Sequence, residues 1–211
     1  MIKRCLIPIL RSSGLRSDPQ NRDDRSPITI LDLGTGIGDI PIMLVNWALR
    51  TGIRIHITAT DANAVTMEYA RAAAYKRLDQ GAAELLTFKV ADAQSLEFPD
   101  DSFDYVIASQ LLHHFDEQEA TRCVAEMNRV GKHGILINDL HRHPIAYYLI
   151  KVIVRVLGMP PMIVNDAPIS VHRGFVRDEL VKIASSAELR NSSVRWHLPF
   201  RWSVSTLVKV G

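Results

Sequence analysis

The stretch ITILDLGTGIGDIP, residues 28–41, decides the fold. A β-branched and leucine-rich run ends on Asp32-Leu33, and glycines follow at 34, 36 and 38. A short apolar run bounded by glycine reads as a buried strand that runs into a turn. Beyond it, Ile40, Leu44, Trp47 and Ala48 share one side of a helix expected over residues 40–50. Asp39 is the candidate cap of that helix, and Pro41 suits its first turn. Glycines in such a turn permit positive φ and let the backbone approach a ligand closely. A dinucleotide loop, G-x-G-x-x-G, would set a pyrophosphate against the helix N-terminus. Here Asp39 holds the sixth position, where its carboxylate would repel that group, and no Gly-Lys-Ser/Thr follows to make a P-loop.

The same alternation continues outward from the turn. Strands are expected over residues 53–59, 85–90, 103–108 and 134–138. Helices are expected over 64–78, closed by Gly81, and over 116–130, stopped by Gly131. Five strands separated by helices specify an α/β fold, a doubly wound and mainly parallel sheet with helices on both faces. After Asn138 the pattern changes. An apolar helix is expected over 145–157, a proline-interrupted loop to 176, a helix over 177–189, and an antiparallel strand pair over 193–197 and 201–208.

The 211 residues carry 25 basic and 23 acidic side chains, net +2, which gives no general case for a nucleic-acid partner. Cys5 and Cys123 form no C-x-x-C, so a reducing compartment is the default. The opening MIKRCLIPILR has an apolar run too short for a signal-peptide core. The apolar stretch 144–164 contains Lys151 and Arg155 and is broken by Pro160-Pro161, which argues against a membrane span. Residues 1–27 read as a polar leader, partly disordered or a short helix, and 28–211 as a single domain. A cytoplasmic protein, monomer or homodimer, is expected.

Two more acids stand where strands end. Asp61, in TATDAN, can accept both hydroxyls of a ribose. Asp92, in VADAQSLEFPDDSFD, can reach an adenine amino group, and Asp32 can accept from an ammonium or from N–H groups of its own loop. Each alone also reads as a helix cap or an Asx turn. Three at the carboxyl ends of three successive strands point to a ligand.

Through LDLGTGIGD, TATDAN, ADAQSLEFPDDSFDYVIASQLLHHF and NRVGKHGILIND, residues 28–139 resemble the class I S-adenosylmethionine (SAM)-dependent methyltransferases. The resemblance implies their seven-stranded Rossmann-like fold and SAM as cofactor. It places the methionine part on Asp32, Gly34, Thr35, Gly36 and Gly38, the ribose on Asp61 with Ala62, and the adenine near Asp92 with Ala93. Ser109 and Gln110 would face the sulfonium end. The stretch NDLHRHPIAYYLIKVIVRVLG, with NDAPISVHRGF after it, is similar to bacterial methyltransferases associated with polyketide-type phenol and quinone products. That implies a small aromatic or apolar acceptor, methylated on oxygen or carbon. A SAM-binding sensor or accessory protein without catalysis is the alternative. An NAD-dependent oxidoreductase is disfavoured by the glycine spacing, and an RNA methyltransferase by the balanced charge.

A phenol acceptor must lose a proton, and histidine suits that task near neutral pH. His114 and His141 are the candidate bases, each leaving a strand at the ligand-bearing edge, while His113 reads as a packing residue. No metal is expected, because Ser109-Gln110 stand after the fourth strand where a hard cation would want carboxylates. Ile145, Leu149, Val152 and Val156 form a stripe expected to be core, or else a lid over the acceptor with Tyr147 or Tyr148 lining it. Arg142 and Arg173 are candidates to meet an acceptor's negative charge.

Overall fold

A computed structural model describes Ile7 and residues 26–206; the leader, Ile7 aside, and the end of the last expected strand lie outside the described residues. Seven strands form one sheet: β1 Ile28–Leu33, β2 Ile55–Asp61, β3 Leu86–Val90, β4 Phe103–Ser109, β5 Gly131–Leu140, β6 Ser193–His197 and β7 Arg201–Ser205. Their order is β3-β2-β1-β4-β5-β7-β6. β1 to β5 are parallel, and β7 joins β5 antiparallel and pairs with β6 antiparallel. This is the expected doubly wound, mainly parallel sheet with an antiparallel C-terminal pair.

The helices are α1 Asp39–Thr51, α2 Ala64–Arg77, α3 Gln80–Ala83, α4 Glu117–Val130, α5 Pro144–Val156, α6 Pro161–Arg173 and α7 Arg177–Ser186. Helices α1 to α3 bury one face of the sheet, where Leu44, Val45, Trp47 and Ala74 meet Ile30, Ile57, Tyr105 and Ile107. On the other face Cys123, Met127, Leu180 and Ile183, from α4 and α7, meet Leu31, Val106, Ile135 and Ile137. Because both faces are covered, β1 and β4 bury consecutive residues, 30–33 and 105–108, rather than alternate ones.

Chain order leaves β1 toward β2 on one side and toward β4 on the other, so the sheet's switch point lies between β1 and β4. Ligands of open α/β sheets bind outside the carboxyl ends of the strands at such a point. The glycine turn after β1 and the Ser109-Gln110 turn after β4 both open there.

Three local expectations are corrected. Asp39 does not cap α1: Gly38, left-handed at φ 78°, is the N-cap and makes no side-chain bond, and the Asp39 carboxylate pairs with Arg77 of α2. Helix α2 ends extended at Leu78, and Gly81 falls inside α3, which Asp79 caps by accepting from the Ala82 N–H. The expected loop before residue 177 contains α6, with Pro161 in its first turn and Pro168 inside it. A proline at the first helical position loses no intrahelical bond, so Pro160-Pro161 starts a helix as well as ending one.

Candidate cofactor and acceptor site

Gly34, Gly36 and Gly38 all have left-handed φ, at 64°, 56° and 78°. The two-residue spacing therefore satisfies a backbone that turns left-handed at every second residue, and only glycine does so without strain. At Gly34 a Cβ would also fall 2.7 Å from the Leu111 side chain, while at Gly36 it would meet nothing within 4 Å. The turn is pinned by the Thr35 N–H donating to the Thr60 carbonyl and the Gly38 N–H to the Thr35 carbonyl.

Asp32 lies beneath this turn and is 1% exposed, and its Oδ2 has no hydrogen-bond partner among the described residues. Burial pushes its carboxyl up to about 7, opposed by the neighbouring Thr35 and reinforced by the negative charge of Asp61. A buried carboxylate normally has donors on both oxygens. Asp61, at the end of β2, accepts from the Gly36 N–H through Oδ2 and from the Asn63 N–H through Oδ1. It thus ties the β2 turn to the glycine turn, beside exposed Ala62. Asp92 accepts from the Gln94 N–H at 2.9 Å, which closes an Asx turn, and Ala93 is buried behind it. Both acids make the local turn that the sequence allowed. Asp61 alone also bonds directly to the glycine turn.

Across the switch point, Gln110 is left-handed at φ 57°, and its N–H donates to the Asn138 carbonyl. Asn138 Nδ2 donates to Ser109 Oγ at 2.8 Å, and Asn138 Oδ1 is buried without a partner among the described residues. Asn138 ends the apolar run GILIN and so stands near the carboxyl end of β5, at this edge.

The four histidines separate into two groups. His113 is buried, its Nδ1 2.8 Å from Asp139 Oδ1. Asp139 also accepts the Leu112 and Leu140 N–H groups, so it anchors the turn that presents the neighbouring His114. The His114 ring stacks on His113 at 4.2 Å and is the exposed member of the pair. Burial lowers its pKa, with His113 and Arg173 acting the same way and Asp139 and Asp61 opposing. His141 sits instead in an aromatic cluster with Trp202 and Phe200, and its Nδ1 accepts the Trp196 indole N–H at 3.1 Å. Burial and then His143 lower its pKa. With Nδ1 an acceptor, the neutral ring carries its proton on Nε2. Trp196, Phe200 and Trp202 were not singled out from sequence; aromatics on a closing hairpin are as readily core as ligand contacts.

Arg142 pairs with Glu179, and Arg173 lies in the last turn of α6. Among the described residues no three His, Cys, Asp or Glu side chains group to hold a metal ion. A cavity of about 630 Å³ between α4 and α7, lined by Asn128, Arg129 and Glu188, opens at the opposite end of the sheet from the glycine turn.

Residues 30–134 match the family described as "Methyltransferase domain". The ubiquinone/menaquinone biosynthesis C-methyltransferase UbiE of Rickettsia bellii is 42% identical over 76 residues, 36% of this chain and 29% of that protein. The chain thus aligns with under a third of that curated relative's length. Among solved structures, a SAM-dependent methyltransferase from Aquifex aeolicus has 19% identity and a TM-score of 0.60, over 97% of this chain and 90% of that one. The magnesium protoporphyrin IX methyltransferase of Synechocystis PCC 6803, solved with bound SAH, has 15% identity and a TM-score of 0.58, over 85% of this chain and 73% of that one. Residues 30–134 are therefore those of a methyltransferase domain, set in the Rossmann-like sheet expected of the class I SAM-dependent methyltransferases.

Proposed function

We propose that the protein transfers the methyl group of SAM to a small phenol- or quinone-type acceptor. The observation that carries the cofactor side of this reading is the buried Asp32 oxygen without a partner under three left-handed glycines. A cationic amino group is the complement that such a carboxylate lacks. Asp61 is suited to ribose hydroxyls, with Ala62 beside it, and exposed Asp92 with buried Ala93 to the adenine. Gly34, Thr35, Gly36 and Gly38 hold the methionine part, and Ser109 and Gln110 face the reacting end. The acceptor class is supported by the quinone-biosynthesis C-methyltransferase among the relatives.

When bound, SAM supplies an already activated methyl group. The chain's work is orientation and exclusion of water, contributions worth roughly 7–11 kcal/mol when alignment is good. His114 is the candidate base: exposed, with a lowered pKa, and held by the His113–Asp139 turn. His141, with Nδ1 engaged by Trp196, is suited to donating from Nε2 to an acceptor oxygen. Both are candidate catalytic residues.

The test is calorimetric titration with SAM, followed by transfer of labelled methyl to panels of phenols, naphthols, quinols and bulk RNA. Binding with transfer to a quinol or phenol is the expected result. Binding without transfer to any acceptor would replace this reading with a non-catalytic SAM-binding protein.

A further inference from the structure

Helices α5 and α6 form a hairpin whose outer side is apolar and is covered by none of the described residues. The α5 stripe Ile145, Leu149, Val152 and Val156, expected to be core, faces outward at 48–77% exposure, and the helix buries only Ala146 and Val154. Leu157 and Met162, at the hairpin's tip, are 65% and 71% exposed. From Arg142 to Arg173 the sequence carries four basic residues and one acidic residue, Asp166. Only Arg142 of the four has a carboxylate partner among the described residues. Lys151 lies over the Tyr147 ring, and Arg155, one turn on, donates to the Lys151 carbonyl.

We propose that this hairpin docks on an anionic lipid surface, with Leu157 and Met162 entering the acyl boundary and Lys151 and Arg155 at headgroup level. A helix with a wide apolar face and flanking cations lies in the interface plane rather than across it. At 13 residues, about 20 Å, α5 is too short to span the hydrocarbon core, and no helix of the described residues qualifies as a span. Charge decides between lipid and a second copy of this chain. Two copies meeting on this face would bring unpaired cations together, whereas anionic headgroups neutralise them. Ile7 lies against the α1–α3 layer of the core. The inference is independent of which acceptor is methylated.

The test is flotation of the full chain with phosphatidylcholine vesicles, with and without phosphatidylglycerol. Binding is expected only with the anionic lipid and should weaken with salt. Lys151→Gln and Arg155→Gln should each reduce affinity about fivefold. Met162→Asp and Leu157→Asp, at exposed positions, should abolish binding with the melting temperature unchanged. The proposal is overturned if the wild-type chain ignores anionic vesicles, or if Met162→Asp binds them as well as wild type. A solution dimer that Met162→Asp dissociates, without vesicle binding, would overturn it in favour of self-association. Methyl-transfer activity is not read in any arm, so failure here leaves the proposed function untouched.

Discussion

Asp32 combines a cost and a use. Its carboxyl is raised to about 7 by burial, so the folded state holds the proton more tightly than the unfolded chain. The associated stability is present below pH ~4 and is lost as pH rises through about 7. Asp32→Asn should therefore raise the melting temperature of the ligand-free protein at pH 8, with little change at pH 4, while abolishing SAM binding. Calorimetry should show wild-type affinity for SAM falling about tenfold per unit below pH 7, because binding an ammonium must then displace a proton. His114→Gln should lower kcat and leave SAM affinity unchanged. Because the His114 pKa is lowered, the acid limb of the wild-type rate profile should lie below that of free imidazole. Asp139→Ala strands a buried imidazole and two N–H groups. Denaturant unfolding should register a loss of about 3–5 kcal/mol.

At the level of elements, the glycine turn is governed by φ and by Leu111. Gly34→Ala should cost about 1–2 kcal/mol for the left-handed backbone alone, plus the collision with the Leu111 side chain. Adding Leu111→Ala should relieve the collision and leave the backbone cost, a separation measurable by equilibrium unfolding of Gly34→Ala, Leu111→Ala and the double variant. Helix α4 shows the opposite case, a local rule that sequence alone specifies. Asp116 accepts from the Glu119 N–H and Glu119 returns a bond to the Asp116 N–H, a capping box written in DEQE. Helix α5 shows where periodicity stops being informative. Spacing identifies the apolar stripe, yet the stripe points away from the protein, because the buried side is the one with Ala146 and Val154.

For the whole molecule, the two helix layers make the sheet core inaccessible. Cys123 is fully buried against the sheet, and burial pushes its thiol up to about 12. Native protein should leave Cys123 unreacted with a thiol-specific reagent, as read by peptide mass mapping, and labelling should track the unfolding transition. Labelling at the rate of a free thiol under native conditions would contradict this packing.

The strand-helix alternation, the doubly wound order and the three strand-end acids were legible in the sequence, because each depends on local spacing, on glycine's access to positive φ or on short-range turn chemistry. The turn ITILDLGTGIGDIP holds its place for the same reason. Tertiary structure alone decided that Gly38 rather than Asp39 caps α1, since Arg77 from the next helix claims the Asp39 carboxylate. It also separated His114 from His141. The partners that distinguish them, Asp139 with His113 and Trp196 on the closing hairpin, are distant in sequence or set by the fold. The outward face of the α5–α6 hairpin was likewise beyond periodicity, which shows that a helix has an apolar side but not which side its neighbour buries.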